Sequence, residues 1–482
     1  MEVMVAEGLS KQPLDYISNI IRTSGFNCVR LTWAIQMITN TTYSNITVRE
    51  SFILNGLNDT AAALAFLNPG IIDLPLLQAF QAVIESLGRN GIMVVVDNHV
   101  SKPGWCCSNN DGNGFFGDLH FNPDEWLNAL ATMASQFRGM SNVVAMSLRN
   151  ELRGHRQNTP DWYKYMQQGA EAVHKANPDL LVILSGLNFD TNLDFLKLKQ
   201  VNLSFSGKLV FEFHWYTFSN RQGWKNGNLN DICSGSSDSV MKRAGFLLDD
   251  YPLFMSEFGI NQDGKNIGDN HYIGCVLALA AEHDLDWALW SLPGSYYKRQ
   301  GKRGVAETYA VVSYDWDTIR NPTFMQMLSS ITLPFRGPGV DEVPEYKIVY
   351  HPMSGQCVLR NYSLNGVVEL GPCSETEAWS FNENELGLIN GTTSMSCMEG
   401  KGDGEEVKVG NICGGPNSKW DIVSPTNMQF SSQETKLCLD VSSDGKTLVT
   451  NPCLCLDGRP NCDPENQWFK LVAKTRKIFS NM

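Results

Sequence analysis

The sequence has no long hydrophobic run and no excess of basic charge. Its longest uninterrupted apolar stretch, around residues 276–281, is far too short to cross a bilayer. Among 482 residues, 38 lysines and arginines stand against 51 aspartates and glutamates, a formal net charge of -13. A surface of that sign does not attract phosphate backbones, so we expect neither nucleic acid nor a membrane span. With 43% hydrophobic and 18% charged residues, the chain has the composition of a folded globular protein.

The first residues also lack the basic segment followed by an apolar segment that marks a secretory signal peptide. Other features indicate a secretory route. Eight of the 13 cysteines follow residue 336, most of them in pairs about fifteen residues apart, with no histidine among them; this favours disulfides over zinc. N-glycosylation sequons begin at Asn40, Asn45, Asn58, Asn202, Asn361 and Asn390. We therefore expect a secreted protein whose signal peptide is absent from this chain.

In the first two thirds of the chain, apolar β-branched segments alternate with amphipathic ones. Strands are predicted at 28–33, 92–99, 143–151, 180–185, 209–216, 253–258 and 286–292. Helices are predicted at 14–24, 72–89, 123–137, 161–176, 239–249, 270–283 and 322–331. Apolar strands separated by helices indicate a parallel sheet covered on both faces, and the lack of a glycine-rich phosphate turn argues against a doubly wound sheet. Seven such strands predict an α/β fold, a (β/α)8 barrel whose first strand is missing from this chain.

A segment rich in proline and glycine at 336–345 predicts a linker between a barrel domain at 1–335 and a second domain at 346–474. Beyond the linker, helical periodicity stops. Three units of about forty residues share an order of two cysteines and then a tryptophan: Cys357, Cys373 and Trp379; Cys397, Cys413 and Trp420; Cys438, Cys453 and Trp468. Units too small to bury a core alone pack around a shared axis, which predicts an all-β trefoil.

Polar side chains occur at the carboxyl ends of the predicted barrel strands, where barrels of this type have their active sites. Left unpaired, such groups would cost free energy, so their presence indicates a function. Two carboxylates from different strands suit cleavage of a glycosidic bond, because one protonates the leaving oxygen while the other attacks or stabilises the oxocarbenium-like centre. The set comprises Arg30, His99, Asn150, Glu151, His214, Tyr216, Glu257 and Trp290.

In that order, the set resembles glycoside hydrolase family 5, the cellulase family, over about two thirds of the chain. The segments GFNCVRLTW and PGWCCSNNDGNGFFGD resemble the plant branch of that family. The resemblance implies a retaining double displacement on a β-linked, gluco- or manno-configured polysaccharide or oligosaccharide, in the cell wall or apoplast. It implies no cofactor and no metal, and we expect a monomer.

The resemblance also implies a role for each residue. Glu151 would be the acid/base and Glu257 the nucleophile, with a carboxyl separation of about 5–5.5 Å. Asn150 would bind the sugar 2-hydroxyl. The remaining positions would support them: Arg30 and Tyr216 would orient Glu257 and keep it ionised, His99 and His214 would bind sugar hydroxyls, and Trp290 would form the stacking floor. Because a neighbouring cation lowers a carboxyl pKa, we expect a lowered pKa at Glu257 and a protonated Glu151.

The three C-terminal units resemble a ricin B-type lectin domain, which implies a second, glycan-binding site. The Gln-x-Trp motif of that family is degenerate here, with Glu377, Ser418 and Asn466 at the glutamine position. Of the aspartates that would bind a sugar, only Asp440 in the third unit is in place. Two alternatives stay open: a sugar site at Asp440, or a trefoil that only stabilises or spaces the barrel.

Two further features of the sequence suggest a metal site or a disulfide, and one rival function is compatible with the barrel. The segment 109–114 is similar to the start of a calcium loop, but its twelfth position is His120 rather than glutamate. One or both of the adjacent Cys106 and Cys107 are expected to pair with Cys233 or Cys275, leaving an odd thiol, although sequence alone does not settle the pairing. The rival function is a carbohydrate-binding protein that no longer turns over, because a barrel with a gap exposes two strand edges.

Overall fold

The computed structural model describes residues 2–336, 346–375, 377–390, 394–411 and 413–474. The chain forms two compact units. The first comprises Met1–Trp215, Val240–Gln262 and Asp286–Arg320, and the second comprises Tyr216–Ser239, Asp263–Leu285 and Asn321–Met482. Apart from Arg336, the predicted linker lies outside the described residues. The domain bounds 1–335 and 346–474 stay a prediction.

The first unit is built on seven parallel strands, each paired with the next along the chain. The strands are β1 (Cys28–Ala34), β2 (Met93–Val100), β3 (Val143–Ser147), β4 (Leu181–Leu184), β5 (Leu209–His214), β6 (Leu253–Phe258) and β7 (Asp286–Leu289). Just before β1, Phe26 meets Trp287 of β7 edge to face at 6.1 Å, so the first and last strands come close together. The sheet is a nearly closed barrel. The predicted α/β barrel and all seven predicted strands are confirmed, and no strand end differs by more than four residues.

Helices connect the strands, and most of the longer ones begin at an asparagine cap. Asn122, Asn158 and Asn266 each accept a backbone N–H of the first helical turn. The helices are α1 (Leu14–Thr23), α2 (Gln36–Thr39), α3 (Thr41–Asn45), α4 (Val48–Leu54), α5 (Asn58–Leu67), α6 (Leu76–Arg89), α7 (Pro123–Gln136), α8 (Thr159–Ala176), α9 (Leu187–Asp190), α10 (Arg221–Asn226), α11 (Leu229–Arg243), α12 (Ile267–His283) and α13 (Pro322–Ser329). Among the described residues, no helix has both the length and the apolar character that crossing a membrane requires.

Three parts of the first two thirds differ from the sequence prediction. The four short helices α2–α5 follow β1, too short to give a clear periodicity. The helix predicted at 239–249 is wrong in its bounds, because α11 begins at Leu229 and a separate 3-10 turn covers Gly245–Asp249. A hairpin of β8 (Ser295–Arg299) and β9 (Lys302–Ala306) follows β7, with a left-handed Gly301 at its turn.

The C-terminal part of the second unit is all-β. Its strands are β10 (Tyr346–His351), β11 (Gln356–Asn361), β12 (Val367–Gly371), β13 (Trp379–Asn382), β14 (Glu385–Asn390), β15 (Ser394–Glu399), β16 (Lys408–Gly410), β17 (Trp420–Ile422), β18 (Phe430–Ser432), β19 (Leu437–Val441), β20 (Leu448–Pro452) and β21 (Lys470–Lys474). Strands β10–β16 close into an antiparallel ring, because β10 pairs with both β11 and β13. The predicted β-trefoil-like fold is confirmed.

The first two of the three repeats share a tryptophan contact, and the third repeat departs from it. Trp379 donates to the carbonyl of Val358 at 3.3 Å, and Trp420 donates to the carbonyl of Met398 at 2.9 Å. Each acceptor directly follows the first cysteine of its own unit. Trp468 instead donates to the side-chain oxygen of Asn230 on α11, at 2.9 Å. The third repeat is therefore hydrogen-bonded to a helix that precedes it by more than two hundred residues.

Six disulfides are present among the described residues. The repeated pairs Cys357–Cys373, Cys397–Cys413 and Cys438–Cys453 form as the spacing predicted, and Cys455 pairs with Cys462. The predicted pairing of Cys106 or Cys107 with Cys233 or Cys275 is wrong. Cys106 binds Cys107, while Cys233 on α11 and Cys275 on α12 have Cα atoms 5.7 Å apart and bind each other. The odd thiol is Cys28, whose pKa burial raises to about 11.

Candidate active site

Most of the polar residues predicted from the barrel strands lie at or just after the carboxyl ends of those strands, and Arg30 instead lies inside β1. Below them, Val95, Ala145, Ile183 and Val210 form an apolar layer inside the barrel. Because every strand of a parallel barrel ends on the same side, side chains that are far apart in sequence come together there. In the first unit these are Arg30 on β1, His99 on β2, His214 on β5, Glu257 on β6, Asn150 and Glu151 just after β3, and Trp290 just after β7.

Arg30 is the cation at the centre of this group. Its Nη1 donates to Glu257 Oε1 and its Nη2 donates to Asn150 Oδ1, both at 2.9 Å. Nη2 also lies 3.1 Å from Asp97 Oδ1 and 3.7 Å from Glu212 Oε2. Burial alone would lower the pKa of this guanidinium, but the surrounding carboxylates raise it above its usual range. Arg30 is therefore permanently charged and fixes both Glu257 and Asn150 in place.

His214 lies between the two carboxyls proposed to react. Its Nδ1 is 3.0 Å from Glu151 Oε1 and 3.7 Å from Glu257 Oε2. One oxygen of each carboxyl and this ring nitrogen all lie within 4.8 Å of one another. In the sheet, His214 is paired directly with Glu257 across β5 and β6. The pairing of β5 with β6 thus places Glu257 beside His214, and the segment after β3 places Glu151 there.

The surroundings change the pKa of both carboxyls. Burial raises the pKa of Glu151 to about 7, although Arg153, His99 and Arg30 act to lower it. Burial also raises the pKa of Glu257, with His214 and Arg30 opposing. The predicted lowering of the Glu257 pKa is therefore wrong, because removing water from the site outweighs the opposing effects of His214 and Arg30. Glu151 holds its proton up to about neutral pH, as expected.

His99 and Trp290 form a second pair, which Asp97 connects to Arg30. Nδ1 of His99 lies 2.8 Å from Asp97 Oδ2, and burial lowers the pKa of His99. Asp97 has a lowered pKa, because Arg30 and His99 outweigh its burial, so its oxygen accepts and Nδ1 carries the proton. The His99 and Trp290 rings stack with centroids 5.6 Å apart and planes within 9°. This leaves Nε2 of His99 as an acceptor beside an aromatic face.

Three buried carboxyls of this site were missed at the sequence level. Asp97 and Glu212 lie within β2 and β5, and Asp190 ends α9 with its Oδ2 3.6 Å from His214 Nε2. Burial raises the pKa of Glu212 and, further, that of Asp190. Asp97 and Glu212 were detectable, since a charged residue inside an apolar strand is costly unless it is paired. Asp190 gave no comparable signal.

The Cys106–Cys107 disulfide lies against Asn150. Asn150 Nδ2 is 3.6 Å from the sulfur of Cys106 and 3.7 Å from that of Cys107. A sulfur of each also lies within 4.8 Å of a Glu151 oxygen. These two cysteines were expected to pair with Cys233 or Cys275; they instead bind each other beside the acid/base candidate.

Arg153 binds the loop at 109–114, the segment whose sequence is similar to the start of a calcium loop. Arg153 Nη2 donates to Asp111 Oδ2 at 2.6 Å, and its Nη1 donates to the carbonyl of Glu151 at 2.5 Å. Asp111 also accepts the backbone N–H groups of Ser108 and Asn113. This carboxylate is engaged by a cation of the chain itself, and the same arginine holds the backbone of Glu151.

Two predicted site residues lie in the second unit. Tyr216 is two residues past the end of β5, and its ring stacks on Phe218 with centroids 5.0 Å apart. Asp440 on β19 is 7% exposed, and its Oδ2 accepts from Gln467 at 3.0 Å and from Asn451 at 3.1 Å. The proposed contact of Tyr216 with Glu257 and the proposed sugar site at Asp440 both stay predictions.

Glu151, His214 and Glu257 also have the spacing of metal ligands. Arg30, however, already supplies a positive charge to Glu257 at hydrogen-bond distance. The group therefore suits proton transfer and nucleophilic attack without an added cation. A proton donor with a pKa near 7 and a second carboxyl within 4.8 Å of it are the two groups that cleavage of an acetal requires.

Comparisons with known proteins agree with this interpretation. Residues 6–295 match the family model of Cellulase (glycosyl hydrolase family 5). A protein of Chamaecyparis obtusa described as a glycosyl hydrolase 5 family protein is 41% identical over 502 residues, covering 100% of this chain and 89% of the relative. Fold and site together define an α/β-barrel glycoside hydrolase. The chain belongs to glycosyl hydrolase family 5, the cellulase family.

Solved structures share the barrel fold at low sequence identity. A Pyrococcus horikoshii endocellulase in complex with cellotetraose has a TM-score of 0.56 and 19% identity, covering 69% of this chain and 89% of that one. The catalytic domain of the major endoglucanase of Xanthomonas campestris pv. campestris has a TM-score of 0.54 and 18% identity, covering 68% of this chain and 90% of that one. At this identity the likeness concerns the fold alone.

Proposed function

We propose that this protein is a retaining glycoside hydrolase that cleaves β-linked gluco- or manno-configured polysaccharides or oligosaccharides by double displacement. The observation that carries the proposal is the approach of Glu151 and Glu257 to within 4.8 Å between carboxyl oxygens. Retaining enzymes separate the two carboxyls by about 5–5.5 Å, whereas inverting enzymes need about 6.5–9.5 Å to admit a water. The distance favours the retaining route.

In the first step, the Glu257 carboxylate attacks the anomeric carbon and forms a glycosyl ester. Glu151 gives its proton to the departing glycosidic oxygen, so the sugar leaves as an alcohol. Arg30 holds Glu257 by one guanidinium nitrogen and Asn150 by the other. Asn150 then presents its amide to the sugar 2-hydroxyl, a contact that strengthens as charge develops at the anomeric carbon.

In the second step, Glu151, now a carboxylate, takes a proton from water, and the hydroxide equivalent displaces Glu257 from the anomeric carbon. The two substitutions restore the β-configuration. Nδ1 of His214 lies beside both carboxyls, so its hydrogen bonding to them changes as the proton leaves Glu151 and returns to it. His99 binds a sugar hydroxyl through Nε2, and Trp290 supports the apolar face of the ring.

The substrate class is tested with a panel of β-glucans, mannans and their oligosaccharides. The Pyrococcus horikoshii endocellulase forms a complex with cellotetraose, so cello-oligosaccharides are the first compounds to test here. Release of reducing ends from a β-linked gluco- or manno-oligosaccharide supports the proposal. Binding without any release selects the rival, a carbohydrate-binding protein without turnover.

Two variants separate the roles of the carboxyls. Glu257→Gln removes the nucleophile. The rate of hydrolysis of both oligosaccharides and activated aryl β-glycosides should therefore fall by about 10²–10⁴-fold. Glu151→Gln spares aryl glycosides more, because their leaving groups need no proton. Glu85→Gln on the exposed face of α6 is the control. Equal rates for all three variants and the parent would contradict the proposal.

Secretion is part of the same proposal. Six disulfides among the described residues are typical of proteins that fold in an oxidising compartment. Glycan binding by the trefoil-like region is its least supported part, since the Asp440 oxygen that would bind a sugar already accepts two side-chain N–H groups. A glycan array with the parent and Asp440→Asn tests it, and binding that Asp440→Asn abolishes would support the sugar site.

A further inference from the structure

A second group of ligand-type side chains lies in the second unit, far along the chain from the catalytic carboxyls. His271 is on α12, and Asp463 and Glu465 lie in the loop between the Cys455–Cys462 disulfide and β21. One ligand atom from each side chain lies within 4.8 Å of the other two. No motif in the sequence connects these three residues, because more than 190 positions separate the histidine from the carboxyls.

The orientation of His271 is fixed by its other ring nitrogen. Nδ1 lies 2.8 Å from the carbonyl oxygen of Trp224, and a carbonyl only accepts, so Nδ1 carries the proton. The neutral ring then presents the Nε2 lone pair to Asp463. Metal-bound histidines use this same arrangement, in which a backbone carbonyl accepts from the nitrogen that does not bind the metal.

The distance between His271 and Asp463 fits two ligands better than it fits a hydrogen bond. Nε2 and Asp463 Oδ2 are 4.0 Å apart, beyond hydrogen-bond range. A lone pair directly facing a carboxylate oxygen is unfavourable unless a positive charge lies between them. Zinc lies about 2.0–2.1 Å from an imidazole nitrogen and about 2.0–2.2 Å from a carboxylate oxygen, so two ligand atoms of a tetrahedral site are about 3.4 Å apart. The exposed Asp463 side chain would move about 0.6 Å closer to His271 on binding the ion.

The burial of Glu465 supports a cation at this place. Its side chain is 7% exposed, and its Oε1 is buried without a hydrogen-bond partner among the described residues. A buried carboxyl oxygen without a partner costs free energy, which a bound cation would recover. Asp463 has its Oδ1 occupied by the N–H of Glu465 at 2.9 Å, which leaves Oδ2 for a ligand. The Asp463 side chain is 54% exposed, so an ion and its waters can enter from solvent.

We propose that His271, Asp463 and Glu465 bind one divalent cation, Zn²⁺, which joins α12 to the loop before β21. Two carboxylates balance the charge of the ion, and the imidazole favours zinc over calcium or magnesium, which take oxygen ligands. A water completes a four-coordinate site. The ion contributes stability rather than chemistry, since its ligands are not among the catalytic residues.

The test uses the full-length protein, freed of metal by a chelator and dialysed. We expect it to take up one equivalent of Zn²⁺, measured by elemental analysis after removal of free ion. At about 100 times its dissociation constant, zinc should raise the melting temperature by about 5–10 °C. Activity at 25 °C should stay within twofold of that of the metal-free protein.

Variants assign the ion to these residues. His271→Gln and Asp463→Asn should each lose the bound equivalent and the thermal shift. Asp463→Asn should fold like the metal-free parent, because the side chain is 54% exposed and an asparagine oxygen still accepts the N–H of Glu465. The controls are His283→Gln at the end of α12 and Asp457→Asn, whose carboxylate pairs with Arg459 inside the Cys455–Cys462 disulfide loop. Both controls should keep the ion and the shift.

Three outcomes would overturn the proposal. One is a parent protein that binds no zinc and shows no thermal shift. Another is a full equivalent of zinc in His271→Gln and Asp463→Asn, which would assign the ion to other ligands such as Glu151, His214 and Glu257. The third is a thermal shift with CaCl₂ but none with ZnCl₂, which contradicts the choice of ion. None of these depends on whether the barrel hydrolyses glycosides.

Discussion

Glu151 and Glu257 approach within 4.8 Å through one oxygen each, although 106 residues of chain separate them. The nitrogen between them, Nδ1 of His214, is 3.0 Å from the first and 3.7 Å from the second. Arg30 holds only Glu257, so the two carboxyls have different environments. This asymmetry is what lets chemically identical groups take the roles of acid and nucleophile.

The dependence of kcat/KM on pH should be bell-shaped. Glu151 must be protonated to act as the acid, so the rate falls as the pH rises through about 7, the pKa that burial gives it. Glu257 must be ionised to attack, so the rate falls on the acid side, at a pH above the ordinary carboxyl value of 4.5. β-Linked oligosaccharides, whose leaving groups need the proton of Glu151, show both limbs when measured from pH 3 to pH 9. A basic limb that persists unchanged in Glu151→Gln would contradict the assignment.

Replacing Arg30 with lysine should lower kcat/KM by about 10–10²-fold, because a hydrogen bond to a charged group is worth about 1.5–3 kcal/mol and lysine cannot span Glu257 and Asn150 together. The acid limb of the pH profile should also move to higher pH, since Glu257 loses a fixed cation. Arg49→Lys, in an exposed pair with Asp73, is the matched control and should leave both quantities unchanged. Unchanged kinetics in Arg30→Lys would exclude the positioning role.

Replacing Trp290 with alanine should raise KM for oligosaccharides by about 5–30-fold, the effect of losing about 1–2 kcal/mol of aromatic contact. The KM of Trp290→Phe should lie between those of Trp290→Ala and the parent, because phenylalanine keeps a smaller aromatic face beside His99. Tyr314→Ala, at a ring that is 42% exposed, serves as the control. Initial rates across a substrate series measure the change, and a KM equal to that of the parent would place the stacking floor elsewhere.

Opening the Cys106–Cys107 disulfide should impair activity more than stability. Both sulfurs contact the Asn150 amide, so the double serine variant should lose about tenfold in kcat/KM through a displaced Asn150. The matched control removes Cys233–Cys275, which closes a segment of 42 residues in the second unit. That variant should lower the melting temperature and keep kcat. The reverse pattern would show that Cys106 and Cys107 have no part in the site.

The barrel was predictable because buried parallel strands are apolar throughout and their carboxyl ends carry the functional side chains. Sequence therefore identified His214 and Glu257 at strand ends, whereas Arg30, predicted at the end of β1, is the third residue of that strand. It did not reveal that Glu151 lies four residues beyond β3, since the strand stops at Ser147 while the chain continues in irregular backbone. The pKa of Glu257 was mispredicted because burial, a property of the folded state, outweighs the neighbouring charges.

Pairings between distant parts of the chain were beyond sequence analysis. The spacing of the repeated cysteines encoded their disulfides, since each closes a local hairpin. By contrast, Cys233 meets Cys275 only because α11 and α12 are neighbours. Trp468 likewise follows the repeat pattern in sequence, yet its partner is Asn230. Such contacts depend on how helices and strands pack, which no local periodicity records.

The most direct test of the central claim is to trap the glycosyl ester. A 2-deoxy-2-fluoro β-glycoside with an activated leaving group slows the second step more than the first, so the intermediate accumulates. We predict a mass increase of one fluoroglycosyl group on the peptide that contains Glu257, together with time-dependent loss of activity. An adduct on a different carboxyl, or hydrolysis that releases the α-anomer with no adduct at all, would contradict the account.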